Sequence, residues 1–378
     1  MKPQKLQENM DSQYRVIDLF AGAGGLSKGF EFHNYINEDT FKIVAGLDSN
    51  ERAIRTYYRN HSDARDEFAE PVDLREISGK EIVDRLDVDS IDVVLGGPPC
   101  QGFSHAGDRD PDDERNELVY KFHEVVDEIQ PEFFVMENVP GLKNRQRPEE
   151  APFIQQLQSR FNESGYTIEV FKLNALHYGV PQKRKRLFIV GNNQGVSVQK
   201  PKRTHGMQKD LTMSQKPIVT VGDAIMDLPT PLREEPQEYD DTGDLSDYAR
   251  LMKDGAELLY NHTPADHKQK TIEKMREQEP GEGLYDWNHS WIRLELDAPS
   301  PTVKSNNRAP SVHPTEHRVT TPRECARLQS FPDSFVFEGT KSSQLEQIGN
   351  AVPPLLARAL ASVVADGLTK QPAPQADP

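Results

Sequence analysis

Short apolar runs alternating with stretches of helical periodicity mark the first half of the chain. Tyr14–Phe20, Lys42–Leu47, Ile91–Leu95, Phe133–Met136 and Leu187–Val190 are rich in β-branched and aromatic residues and too short for helices, so each predicts a buried strand. Between them, Glu51–Asn60 and Leu118–Ile129 read as helices, and the glycine-rich segment after Phe20 opens another. Strands alternating with helices predict a doubly wound α/β sheet, in which ligands sit at the carboxyl ends of the strands. After Gly191 the pattern breaks. Proline, polar and charged residues dominate to about residue 300, with scattered aromatics such as Tyr239, Tyr260 and Trp291, which predicts a separate, smaller, loop-rich domain containing β-structure. Order returns at Thr321-Pro322-Arg323-Glu324, where Thr caps a helix, Pro takes its first position and Glu closes a capping box. A last amphipathic helix spans Pro354 to Gly367, and the tail from Gln371 reads as disordered. The expected plan is a tail over 1–12, a catalytic domain over 13–191, a second domain over 192–320, a segment over 321–368 that rejoins the first, and a tail over 369–378.

A chain of 378 residues exceeds one ordinary core, which agrees with two domains. No segment reads as a membrane span, and the N-terminus lacks the apolar core of a signal peptide, so a cytoplasmic protein is expected, without a membrane partner. Two cysteines provide neither a disulfide framework nor a four-ligand zinc site, and no metal is expected. The net charge of −16 argues at first against nucleic acid. Locally the balance reverses: from Gln182 to Lys209 there are eight Lys and Arg residues and no Asp or Glu. An acidic body with one basic face can still hold DNA, while Arg233–Asp247 reads as a solvated acidic loop.

The candidate chemistry lies at strand ends. Gly96-Gly97-Pro98-Pro99-Cys100-Gln101-Gly102-Phe103-Ser104 stops the third strand with glycines, stiffens the backbone with two prolines, and presents a cysteine ahead of a polar, lid-like run. A lone cysteine is ordinarily a small buried hydrophobe, but the Pro-Pro-Cys-Gln context favours a thiolate nucleophile. Asp18-Leu19-Phe20-Ala21-Gly22-Ala23-Gly24-Gly25 follows the first strand and lets a ligand approach backbone amides. It is not the dinucleotide fingerprint, because Ser27 stands where a third glycine would. Asp48 is placed to accept from ribose hydroxyls and Asp73 to read an adenine amino group. Acids around the loop, with Phe20 nearby, suit a cationic ligand such as S-adenosylmethionine better than a pyrophosphate. Taken singly, each acid also reads as a strand-end turn residue, and for Asp48 alone that is the preferred reading. Glu137-Asn138-Val139 follows the fourth strand as Cys100 follows the third, which would set an acid beside a nucleophile. Such a pair suits a pyrimidine: attack at ring carbon 6 makes the ring an electron sink if Glu137 shares a proton with ring nitrogen 3, and an arginine of Gln182-Lys183-Arg184-Lys185-Arg186 can hold the carbonyl oxygen at position 2.

With Arg323–Pro332 and Gln347-Ile348-Gly349-Asn350-Ala351-Val352-Pro353-Pro354, these pieces run in one order along about residues 13–365, and the chain resembles the prokaryotic DNA (cytosine-5) methyltransferases. The resemblance implies a Rossmann-like methyltransferase domain (class I, mixed doubly wound sheet), a target-recognition domain in the motif-free stretch, and double-stranded DNA lying between them. It implies catalysis by Cys100, Glu137 and Arg186. It implies an S-adenosylmethionine site lined by Phe20, Gly22, Gly24, Asp48, Ser49, Asp73, Leu74, Pro98, Leu118, Asn350 and Val352, with S-adenosylhomocysteine as product. Gln101, Ser104, Arg184, Lys200 and Arg203 are expected at the DNA, Arg184 as a structural or phosphate contact; Arg293 and Lys304 are further groove candidates. Cys325 is expected to pack. The target base is flipped out of the duplex in this reading. A monomer is expected, acting as an orphan enzyme or beside a separate restriction endonuclease. The competing readings are a transfer-RNA cytosine-5 methyltransferase of the same fold, a nicotinamide-dependent oxidoreductase and a non-catalytic DNA-binding protein. The long motif-free stretch argues against the first, and the intact nucleophile and acid argue against the other two.

Overall fold

The computed structural model describes residues 13–37, 39–99, 117–144, 151–207, 215–239, 244–285, 288–305 and 311–370. The chain forms two units: one takes residues up to Leu173, Lys185–Lys202 and those from Ala357 on, the other Asn174–Arg184 and Arg203–Leu356.

The first unit is built on a six-stranded sheet. Its strands are β1 (Tyr14–Leu19), β2 (Phe41–Leu47), β3 (Val93–Gly96), β4 (Phe133–Asn138), β5 (Thr167–Asn174) and β6 (Lys185–Asn192), in the spatial order β2-β1-β3-β4-β6-β5. β1 pairs in parallel with β2 and β3, β3 with β4, and β6 runs antiparallel to β4. The apolar runs read from sequence are therefore five buried strands of a mixed sheet, β2 among them although it lies at one edge. β5 escaped that reading for a physical reason: it lies at the edge, and Thr167, Glu169 and Lys172 break its apolar run with polar side chains.

Helices α1 (Gly25–Ile36), α2 (Glu51–Asn60), α3 (Gly79–Leu86), α4 (Glu117–Ile129) and α5 (Phe153–Glu163) connect the strands. Asn50 caps α2 by accepting from the amides of Arg52 and Ala53, and Ser78 caps α3 through the amide of Glu81. Ile17, Leu19, Val94, Phe122, Phe134, Leu157 and Ile189 belong to one continuous core. Burial of each large side chain there is worth roughly 1.5–3 kcal/mol.

The second unit has little regular structure among its described residues. It holds the helices α6 (Val221–Ile225), α7 (Asp247–Lys253), α8 (Gln269–Glu277), α9 (Pro322–Leu328) and α10 (Lys341–Asn350). Two short strand pairs accompany them, β7 (His205–Gly206) with β8 (Lys216–Pro217) and β9 (Gly283–Tyr285) with β10 (Asn288–Ile292). The capping box at α9 forms as the sequence predicts, Thr321 accepting from the amide of Glu324 and Glu324 accepting in return from that of Thr321.

Charged side chains organise this unit from inside. Arg327 donates to both oxygens of Asp333 at 2.6 Å and to Asp227 at 3.1 and 3.2 Å. Arg323 donates to the carbonyls of Tyr260, Pro332 and Phe335, and Arg318 forks onto Glu324 at 2.7 and 2.9 Å.

The last helix, α11 (Pro354–Leu368), returns to the first unit from Ala357 on. Gly367 packs so closely on Phe133 that a Cβ there would meet the ring at 2.4 Å. The stretch Lys341–Leu368 is long and apolar enough to cross a membrane by composition, yet Ala351–Pro353 divide it into α10 and α11 and most of it is buried in the protein.

Candidate active site

At the carboxyl end of β1 the chain turns through Phe20, Gly22 and Gly24, all with positive φ (54°, 55° and 90°). Two of the three are glycine, the residue that enters this region without strain. Gly24 is fixed a second way, since a Cβ there would sit 2.2 Å from the His61 ring and 2.9 Å from Tyr57. Gly22 differs: nothing lies within 4 Å of where its Cβ would be. Its amide donates to Asp48 Oδ2 at 2.8 Å, while Asp48 Oδ1 accepts from the Asn50 amide at 2.8 Å. Burial pushes Asp48 above the usual carboxylate range against these bonds. The Val72 amide donates to the Asp48 carbonyl at 2.9 Å, so the segments of Asp48 and Asp73 are brought together as the sequence reading requires.

Asp73 is not idle. It caps the amide of Arg75 and takes the Arg75 guanidinium on both oxygens, at 3.0 and 2.6 Å, which holds it below the usual carboxylate range. Leu74 turns its side chain into the core, and Ser49 is exposed. Leu118 lies half-buried in the first turn of α4.

Strands β3 and β4 run in parallel, so the residues after them leave from the same edge of the sheet. The Asn138 side chain donates to the Pro98 carbonyl at 3.3 Å and its oxygen accepts from the Val139 amide at 2.8 Å. This bond ties the end of β4 to the proline two residues ahead of Cys100, a role for Asn138 that only the fold reveals. Cys100, Gln101 and Ser104 lie outside the described residues. Beside Asn138, Glu137 Oε1 meets Arg186 Nε at 2.8 Å, with the two side chains 13% and 16% exposed. Arg186 also donates to the Lys185 carbonyl at 2.9 Å. The antiparallel register that sets Asn138 opposite Leu187 brings this pair together. An acid and a guanidinium side by side can hold the two adjacent polar edges of one planar ring, accepting or sharing a proton at one and donating at the other.

Arg184, two residues earlier, is corrected as a DNA contact. It is 1% exposed, and its guanidinium donates to the carbonyls of Val303, Gly349 and Ala351 at 3.1, 2.7 and 3.1 Å. Of its two expected roles it fills the structural one. Gly349 belongs to the same arrangement, because a Cβ there would stand 2.3 Å from the Ser305 amide nitrogen. In this second unit Asn350 is exposed and Val352 buried. Arg293 is likewise no groove contact: it is buried and donates to the carbonyls of Met275, Gln278, His313, Pro314 and Glu316. Lys200 and Arg203 are exposed, each in its own unit. Cys325 is a buried free thiol, pushed by burial up to about 12 and therefore a poor nucleophile.

The sequence matches the family model of the C-5 cytosine-specific DNA methylases over residues 14–365. Type II methyltransferase M1.HphI of Haemophilus parahaemolyticus is 34% identical over 361 residues, covering 92% of this chain and 86% of that one. Type II methyltransferase M.AgeI of Thalassovita gelatinovora is 31% identical over 436 residues, covering 93% and 99%. Among solved structures, a prophage-encoded DNA modification methyltransferase candidate from E. coli superposes with a TM-score of 0.76 at 28% identity, covering 95% of this chain and 100% of that one. With a Rossmann-like mixed sheet, glycine turn and strand-end carboxylates in place, the match across nearly the whole chain settles the family: the chain belongs to the C-5 cytosine-specific DNA methylases and is a DNA cytosine-5 methyltransferase.

Proposed function

We propose that the chain methylates carbon 5 of cytosine at a specific site in double-stranded DNA, with S-adenosylmethionine as methyl donor and Cys100, Glu137 and Arg186 as catalytic residues. The observation that carries this reading is the Glu137–Arg186 pair at 2.8 Å, beside the Asn138–Pro98 bond that braces the backbone leading to Cys100.

The residues of the first unit fit the donor. Gly22 leaves open space above a turn held by Asp48, the loop from Asp18 to Ser27 has no basic residue to prefer a phosphate, and Asp73 offers acceptor lone pairs beyond those that Arg75 uses. When bound, the sulfonium supplies an electrophilic methyl group. The chain's own residues prepare the base. Cys100 attacks carbon 6 as the thiolate, Glu137 shares a proton at nitrogen 3, and Arg186 donates to the oxygen at position 2, so electron density gathers at carbon 5. Loss of the carbon 5 proton after methylation expels the thiolate. The base is reached by flipping, which costs a few kcal/mol that phosphate contacts can return.

The exposed Lys200 and Arg203 are assigned to phosphates, and residues between Asn192 and about Ser300 to recognition of the target sequence. The enzyme works in the cytoplasm as a monomer, and any restriction endonuclease is a separate protein.

Methyl transfer from tritiated donor to duplex DNA, single-stranded DNA and transfer RNA tests this reading, with incorporation expected in the duplex alone. A duplex carrying 5-fluorocytosine at the target is expected to trap a covalent complex through Cys100, and none with Cys100→Ala. Glu137→Gln is expected to lower turnover by roughly two to four orders of magnitude with DNA binding retained. Methyl transfer by Cys100→Ala, or a crosslink mapped to another residue, would remove the mechanism.

A further inference from the structure

In the second unit the turn over residues 313–318 is curled around a histidine ring. His313, 3% exposed, accepts at Nδ1 from the amides of Glu316 at 3.1 Å and Thr315 at 3.3 Å, with the Thr315 hydroxyl also at 3.3 Å. A ring nitrogen that accepts from amides carries no proton of its own, so the ring is neutral with its proton on Nε2. The curl points three carbonyls, those of His313, Pro314 and Glu316, at one nitrogen of Arg293, at 2.8, 3.2 and 3.1 Å.

Arg293 stands at the root of the β9–β10 hairpin. Its amide donates to the Glu282 carbonyl at 2.9 Å, and its own carbonyl accepts from the Gly281 amide at 2.8 Å. The rest of its guanidinium holds the carbonyls of Gln278 and Met275 at the end of α8. Just above the root, Trp291 has a positive φ of 58° and lies where the strand pairing is irregular. A bulky residue keeps that conformation only while its surroundings hold it there.

Charged groups reach the His313 ring from each neighbouring element. From α9, Glu324 Oε1 lies 3.7 Å from Nε2, but Glu324 already takes Arg318 at 2.7 and 2.9 Å and the Thr321 amide at 2.8 Å. Burial, Arg318 and His262 oppose a second proton on the ring, whereas Glu324 and Glu316 favour it, and the ring is held below its ordinary value. Arg293 adds a further cation at the His313 carbonyl.

We infer that His313 is an acid-sensitive latch: neutral, it keeps the turn closed on Arg293 and so fixes the hairpin root, and on taking a proton it releases both. The second proton can add only at Nδ1, where it turns the acceptor of two amides into a donor facing them. The closed turn therefore excludes it. Once open, the ring returns to its ordinary value of about 6.5, so acid below that value favours the open form. His267 is the rival sensor, since its Nε2 accepts from the Val319 amide at 3.3 Å and its ring lies against Trp291.

Hydrogen exchange of the full chain, read by mass spectrometry at pH 7.5 and 5.5 and corrected for the intrinsic effect of pH on amides, tests this. Peptides over 275–285 and 311–319 are expected to lose about tenfold in protection at the lower pH, the limit for one proton and an open ring titrating at about 6.5, while those of β4 stay unchanged. His313→Asn supplies an oxygen that accepts from amides two and three residues on and takes no proton, so it is expected to keep the protection and lose the acid response. His267→Asn is expected to keep both. The comparison within the parent chain requires no variant to fold. Equal protection at the two pH values in the parent, an acid response that persists in His313→Asn, or one that vanishes in His267→Asn would overturn the latch.

Discussion

The carboxylates at the ends of β1 and β2 and those around α9 are all withdrawn from water, yet they end in opposite states. Among the described residues Asp18 and Asp48 receive hydroxyl or amide donors but no cation, and burial raises both above the usual range. Burial pushes Asp333 and Glu324 the same way. There the fork of Arg327 on Asp333 and that of Arg318 on Glu324 outweigh it and hold both acids low. The lesson is one of completeness. The carboxylates around α9 serve the fold and are paired within the chain; on the proposed cofactor reading, Asp48 would be one left short of a cation until a charged ligand arrives.

Removing one side of a saturated pair is the largest disturbance. Arg327→Leu removes both 2.6 Å bonds to the buried Asp333, which keeps only the Tyr239 hydroxyl at 2.8 Å and Arg323 at 3.8 Å among its described partners, and it is expected to destabilise the protein by about 3–5 kcal/mol in urea denaturation. The double replacement Arg327→Leu with Asp333→Leu is expected to recover a large part of that loss. If the single and double variants lose the same amount, the hub is not the paired unit described here.

At the other region the reverse pattern is expected. Asp48→Ala should weaken binding of S-adenosylmethionine by roughly 1.5–3 kcal/mol, at least tenfold, because charge-assisted bonds are lost. The denaturation midpoint should change little, since this carboxylate holds no salt bridge among the described residues. A large stability loss with unchanged affinity would make Asp48 a structural acid like Asp333.

The response to pH separates the two regions more finely. Because Asp18 binds its proton more tightly folded than unfolded, its contribution to stability is greatest below about pH 4 and declines as pH rises toward about 7. Thermal unfolding should therefore show Asp18→Asn gaining on the parent chain over that interval. Around α9 the sign inverts. Burial lowers His262 and His313, and His313 Nδ1 accepts from the amides of Thr315 and Glu316. Stability from these rings is present above the unfolded value near pH 6.5 and is lost as pH falls below it. In the Asp18→Asn background, where the opposing carboxyl no longer titrates, a stability curve flat from pH 7 to 5 would contradict this.

The smallest effect concerns Cys325. Its replacement by alanine removes a buried sulfur beside Thr320 and should cost about 1 kcal/mol, leaving methyl transfer to duplex DNA unchanged.

Much of this was legible before any coordinates. The glycine turn, the cap of α9 and the five apolar strands of the sheet follow from rules that act over a few residues: where φ must be positive, where an amide needs a capping oxygen, how β-branched residues repeat. The grouping of Glu137 with the segment before Cys100 followed from placing strand ends on one edge, whereas Asp73, which stands at no strand end, is brought to Asp48 by the Val72 amide on the Asp48 carbonyl. The edge strand β5 was lost because its polar side chains face solvent, and α10 because its helix carries polar residues on buried positions such as Ser343 and Gln347.

The two arginines of Arg184-Lys185-Arg186 mark the boundary between what the sequence alone determined and what needed tertiary structure. Sequence placed a pair of guanidinium groups just before a strand and expected one of them to hold the base. It could not show which carbonyls Arg184 would meet, because Val303, Gly349 and Ala351 lie 119, 165 and 167 residues further along the chain. The same holds for Arg293, which read as a groove contact and serves five carbonyls inside the second unit. Local propensity depends on neighbours in sequence. The partner of a long, flexible cation depends on which distant backbone the fold delivers to it, and that choice exists only once the chain has packed.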